Sequence, residues 1–187
     1  MQVISDFADQ AVMLPLTLAI GLTLLALGRD RAARAWTFAV LGTLAVMLVL
    51  KIGFLACAPS WPDPALRSPS GHAAAAAAVY GGLAWLLGIR WAWLVALAAT
   101  AMIGASRIAL HVHSPAEVAL GAAVGMLGAL TFTALAGPTP RRSQRWPLLA
   151  ATALVLIGFH GHRLGAEADI ARFAAAHVRP LVVGAFN

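Results

Sequence analysis

Arg67-Ser68-Pro69-Ser70-Gly71-His72 runs directly into an unbroken alanine stretch, residues 73–78. Ser68 or Ser70 can cap a helix there, and Pro69 suits a first turn, where the missing N–H costs nothing. Free N–H groups at such a helix start point at a bound anion, and the helix dipole favours negative charge. Gly71 lets that anion approach the backbone, and His72 stands in the first turn beside it. The segment therefore predicts a helix from Gly71 onward, polar at its mouth and apolar along its length.

Working outward, the same apolar character recurs. Crossing a bilayer takes about 20 mostly apolar residues in a helix. Six runs approach that length, at 11–28, 35–57, 71–88, 91–106, 115–136 and 147–159. The last is the shortest and is expected either to extend through His160 to Leu164 or to be partly re-entrant. Of 187 residues, 61% are hydrophobic and 11% charged, and the mean hydropathy is +0.84. Soluble domains carry roughly 25% charged residues. The expected fold is all-α, a polytopic membrane helical bundle of about six transmembrane helices in a single domain over residues 1–187. Its polar motifs lie between residues 51 and 117. Residues 165–187 are expected to form an interfacial amphipathic tail, with Ile170, Phe173, Ala174, His177 and Val178 at helical spacing.

The net charge of +6 and a pI near 11.3 do not indicate nucleic acid. The arginines lie in short clusters between apolar runs, with no basic stripe and no interleaved aromatics. The single cysteine, Cys57, excludes an intrachain disulfide and a metal–thiolate cluster. Residues 1–10 carry Asp6 and Asp9 and lack a basic leader, so the first apolar run is expected to be a retained helix.

Charge orients the bundle. Arg29, Arg31 and Arg34, then Arg90, then Arg141, Arg142 and Arg145 fall on one side if the helices alternate, and the positive-inside rule makes that side cytoplasmic. The 58–70 and 107–114 loops then face outward, the periplasm if the membrane is a bacterial-type inner membrane. Arg163, Arg172 and Arg179 run against this assignment, offset in part by Glu167 and Asp169. Trp36, Trp61, Trp91 and Trp146 are read as interfacial anchors near helix ends. Gly121, Gly125 and Gly128 on the fifth run, with the alanines of the third, predict close helix packing and a central third helix.

A second polar cluster follows one hairpin later. Arg107 ends the fourth helix, where its charge complements the dipole. Ser114-Pro115-Ala116-Glu117 reads as a capping box with Ser at the cap, Pro at N1 and Glu at N3. His113 immediately precedes the cap, within reach of the Glu117 carboxylate. A carboxylate that holds one imidazole nitrogen leaves the other free as base or nucleophile. Ionisable groups at membrane depth are functional candidates, and Lys51, Arg67, His72, Arg107 and His113 are the set. His111 lies two residues from His113, so in an extended chain both rings point the same way and His111 is read as a rim residue.

These motifs resemble the signatures of the type 2 phosphatidic acid phosphatase superfamily. That family carries K-x6-R-P, P-S-G-H and S-R-x5-H-x3-D in this order. Pro69-Ser70-Gly71-His72 matches the second fully. Ser106-Arg107 through His113 matches the third, with Glu117 where the family has Asp. Lys51 and Pro59 match the first, with Ala58 where the family has Arg. The resemblance implies a membrane phosphatase acting on a lipid phosphate or diphosphate, with no metal and no cofactor. It implies that His113 attacks phosphorus to form a phosphohistidine, that Glu117 orients it, and that His72 is general acid and then base. Lys51, Ser70, Gly71 and Arg107 hold the equatorial oxygens. Arg67 is the expected substitute for the arginine missing at Ala58. Two alternatives stay open: a lipid phosphotransferase using the same site, and a non-enzymatic lipid-phosphate binding or transport protein with a degraded site.

Overall fold

The computed structural model describes residues 1–57 and 66–185. Every regular element among them is helical. They run α1 (Gln2–Asp6), α2 (Gln10–Ala26), α3 (Asp30–Cys57), α4 (Gly71–Leu86), α5 (Ala92–Ala109), α6 (Pro115–Leu135), α7 (Arg145–Phe159), α8 (Ala166–Phe173) and, after a π-helical turn at Ala174–Val178, α9 (Arg179–Ala185). Four stretches are long and apolar enough to cross a membrane: Gln2–Ala26, Asp30–Cys57, Ala92–Ala109 and Pro115–Leu135. Large apolar side chains such as Leu18, Phe38, Val49, Leu97, Leu127 and Ile157 face outward, as the lipid-facing side of a bundle requires. The structure thus describes a helical membrane protein. The third and sixth expected spans, α4 and α7, have 16 and 15 residues, short of a full crossing at about 1.5 Å per residue.

Helix α4 is the centre, packed against α2, α3, α5 and α6. Its alanines are buried throughout, and the small residues of its neighbours explain why. A Cβ on Gly121 would meet the Ser70 carbonyl, one on Gly125 the Ala74 carbonyl, and one on Gly128 the Thr43 side chain. The glycine stripe of α6 thus lets its backbone lie against the start of α4 and against α3. That approach carries the cap of α4 onto the first turn of α6, where the Ser70 N–H donates to the Glu117 carbonyl at 3.0 Å.

One anchor assignment is corrected. Trp36 is fully buried, its Nε1–H donating to the Thr17 carbonyl at 2.9 Å and its ring edge-on to Phe132. Because α3 begins at Asp30, Trp36 already stands well inside the bundle, in the space left by Gly82. Trp91 and Trp146 are exposed at helix starts; Trp61 lies outside the described residues.

The arginine-bearing connections gather at one end. Arg29 bonds the Pro138 carbonyl, Arg31 the Leu135 carbonyl at 2.8 Å, and the Arg145 guanidinium lies against Gly88. The opposite end holds the polar clusters. There the three arginines that ran against the charge pattern have partners: Arg163 with Asp6 at 2.9 Å, Arg172 with Asp169, and Arg179 with the Leu55 carbonyl at 3.2 Å.

Candidate active site

Helix starts and ends build the site. Lys51 comes from the last two turns of α3, Ser70 and His72 from the start of α4, Arg107 from the last turn of α5, and His113 and Glu117 from the start of α6. All six are buried, a costly placement for polar groups that is tolerated only with partners.

Glu117 supplies many of those partners. Its Oε1 accepts from the Arg67 and Ser68 backbone N–H groups at 2.7 and 2.6 Å. Its Oε2 accepts from the Ser114 N–H at 3.0 Å and sits 3.0 Å from His113 Nδ1. The capping box is complete, with the Glu117 N–H donating to Ser114 Oγ. A carboxylate only accepts, so the Nδ1 proton is the shared one, and His113 Nε2 is left facing the pocket.

Ser70 caps α4, its Oγ accepting from the Ala73 N–H at 3.4 Å. Gly71 lies against the Lys51 stem, where a Cβ would press on Cε at 3.3 Å. Lys51 Nζ donates to Ser68 Oγ at 3.3 Å. Arg107 donates through one terminal nitrogen to Ser5 Oγ at 3.1 Å, while its buried Nε has no hydrogen-bond partner among the described residues.

Four of these groups converge on one point, and a carboxylate fills it. Glu167, in the first turn of α8, places Oε2 at 2.7 Å from Arg107 and Oε1 at 3.1 Å from Lys51 Nζ, 3.4 Å from His113 Nε2 and 3.8 Å from His72 Nδ1. Burial alone raises the Glu167 carboxyl. The bonds from His113 and His72 and the charges of Lys51 and Arg107 outweigh that and hold it well below the usual carboxylate range.

Sequence reasoning missed three contributors, all from the chain's two ends. Ser5 bonds Arg107. Asp9 faces His72, Oδ2 to Nε2 at 3.7 Å, while its Oδ1 accepts from the Ala11 and Leu164 N–H groups at 2.8 and 3.0 Å. Glu167 is the third. A signal existed: the chain has only seven Asp and Glu, and in an apolar chain each is a functional candidate.

Arg67 is not brought in as expected. Its side chain is exposed and makes no bond or ion pair among the described residues; it gives the site only its backbone N–H, to Glu117. Ala58 and Pro59, on which the substitution argument turned, lie outside the described residues. His111 also departs from expectation. Its φ of +56° closes α5 in a left-handed turn, so the chain is not extended there and the exposed ring does not share the direction of His113.

One lysine, one arginine and two imidazoles, each imidazole backed by a carboxylate, thus form a buried cradle whose charge suits an anion. The model of the PAP2 superfamily matches residues 32–141, and the chain belongs to that superfamily, whose members generally hydrolyse phosphoesters. It is similar to the "Uncharacterized 22.5 kDa protein in cps region" of Klebsiella pneumoniae, 30% identical over 148 residues that cover 74% of this chain and 70% of the relative. No solved structure matches it.

Proposed function

We propose that the protein is a membrane lipid-phosphate phosphatase, hydrolysing a phosphomonoester or diphosphate lipid through a phosphohistidine. One observation carries the reading: Lys51, Arg107, His72 and His113 all turn a side-chain nitrogen toward the single point where the Glu167 carboxylate sits. A phosphate placed there meets two cations and two imidazoles, and Arg107 Nε, without a hydrogen-bond partner among the described residues, is a further donor for its oxygens. The first turn of α4 adds N–H groups without intrahelical partners, at Gly71 and His72.

The chemistry follows from the two rings. His113 Nε2 attacks phosphorus while Glu117 holds the Nδ1 proton, so a P–N bond forms as the P–O bond to the lipid breaks. The leaving oxygen takes a proton from His72, whose Nε2 edge is backed by Asp9. His72 then takes a proton from water, whose oxygen attacks phosphorus as the P–N bond to His113 breaks, which releases inorganic phosphate and restores the Nε2 lone pair. Proton transfers of this kind contribute about 10²- to 10⁴-fold.

Substrate enters from the bilayer in this reading, at the end of the bundle opposite the arginine clusters. That end is the outer face of a bacterial-type inner membrane under the positive-inside rule. The test is release of inorganic phosphate by the full-length protein in detergent, from a panel of lipid monophosphates and diphosphates. Release that His113→Ala abolishes supports the reading. Phosphate passed to a second lipid instead of water makes the protein a phosphotransferase, and binding without any turnover makes it a lipid-phosphate binding protein.

A further inference from the structure

We propose that Glu167 is a built-in competitor of the substrate phosphate. Helix α8 holds its carboxylate in the cradle and closes the site until an incoming phosphate displaces it. The inference rests on the phosphatase reading above and adds the regulation of that site.

Three observations support it. First, the carboxylate stands where the phosphate would. Glu167 takes the Arg107 and Lys51 donors and lies 3.4 Å from His113 Nε2, the atom that must reach phosphorus. No phosphoryl group can approach His113 along that line while the carboxylate is present. A proton that Nε2 shares with Glu167 also removes the lone pair required for attack.

Second, the contact with the cradle is made by a side chain on a segment anchored at both ends. Before α8 the chain is fastened: Arg163 pairs with Asp6 at 2.9 Å and the Leu164 N–H bonds Asp9 at 3.0 Å. Gly165 then stands at the N-cap of α8. Beyond it, Ile170 sits in a groove with Leu14, Leu44, Met47 and Lys51, while Asp169, Arg172 and Phe173 are exposed. Beyond α8, Arg179 bonds the Leu55 carbonyl at 3.2 Å; among the described residues the ion pairs of α8 with the cradle are all made by Glu167, so that side chain can swing out while the segment stays anchored.

Third, the exchange balances. An empty cradle leaves Lys51 and Arg107 as buried cations without a counter-ion, an arrangement that is strongly unfavourable. Glu167 compensates them at rest. A dianionic phosphate brings more charge and more acceptor oxygens than a carboxylate, including one for Arg107 Nε, so the substrate can displace it.

The experiment measures equilibrium binding of inorganic phosphate to the full-length protein in detergent, wild type beside Glu167→Gln. The apparent affinity of a site open for only a fraction of the time falls by that fraction, so the variant is expected to bind about tenfold more tightly than the wild type. In the wild type, which needs no variant to fold, saturating phosphate is expected to speed amide hydrogen exchange in residues 166–173. Equal affinity in the two proteins, or exchange in α8 that is unchanged or slowed by phosphate, overturns the proposal. Equal binding that Arg107→Ala abolishes keeps the cradle and rejects only the role of Glu167. Phosphate binding to neither protein, with no phosphate release from any lipid, removes both the proposal and the phosphatase reading.

Discussion

Asp9 Oδ2 stands 3.7 Å from His72 Nε2, on the side of the ring away from the pocket. The same relationship recurs at His113, which has Glu117 behind it and the pocket in front. Asp9 therefore positions the proposed acid. Asp9→Asn keeps an oxygen for the Ala11 and Leu164 N–H groups and removes the charge. It is expected to lower kcat by about 10- to 100-fold with a small change in KM. The loss should be large for alkyl phosphates and slight for an aryl phosphate whose leaving group needs no proton. An equal loss with both substrates assigns Asp9 a structural role only.

Glu117 accepts four bonds, two of them from the Arg67–Ser68 backbone. The longer side chain relative to the family's aspartate accounts for that reach across from α6. Glu117→Asp is expected to keep the cap but release the 67–68 segment, costing about 1–2 kcal/mol in denaturant titration and lowering turnover. Higher turnover with unchanged stability contradicts the clamp.

Arg67 and Arg107 are expected to differ sharply. Arg107→Ala removes the donor at the centre of the cradle and should cost roughly 10²- to 10³-fold in kcat/KM, on the scale of a lost oxyanion donor. Arg67→Ala touches an exposed side chain and should stay within about threefold, because its bond to Glu117 is made by the backbone. Steady-state kinetics on the two variants decide the matter; comparable losses restore Arg67 as a phosphate ligand.

Gly125 permits the contact that seats α6 on α4. Gly125→Ala drives a methyl into the Ala74 carbonyl and is expected to destabilise the bundle by about 1–3 kcal/mol. Trp36→Phe keeps an aromatic edge on Phe132 but leaves out the bond to the Thr17 carbonyl, at about 1 kcal/mol. Thermal unfolding in detergent measures both; a Gly125→Ala protein as stable as the wild type contradicts the packing.

The helices and the cap of α4 were legible because periodicity, capping chemistry and hydropathy are local properties of the chain. Pro69 through His72 and Ser114 through Glu117 announce helix starts wherever the rest of the chain goes. The scarcity of carboxylates marked Asp9 and Glu167 as candidates, but their partners, like that of Ser5, were not legible, because these come from folding residues 1–9 and 163–167 over the same end of the bundle. No spacing rule links Asp9 with His72 or Glu167 with Arg107. Trp36 was misread for a related reason: its depth depends on where α3 begins and on the room at Gly82, not on its distance from the arginines. Arg67 drew attention as a cationic side chain in a polar loop, whereas the bond it gives Glu117 is made by its backbone N–H, which the sequence does not single out.

The most direct test of the phosphatase account is the covalent intermediate. The protein is mixed with a radiolabelled aryl phosphate, quenched in alkali and digested. The account predicts an alkali-stable, acid-labile label on the peptide carrying His113, absent from His113→Ala and accumulating in His72→Ala, where water is no longer activated. Phosphate release with no label on His113 in either wild type or His72→Ala, or a label on another residue, contradicts it.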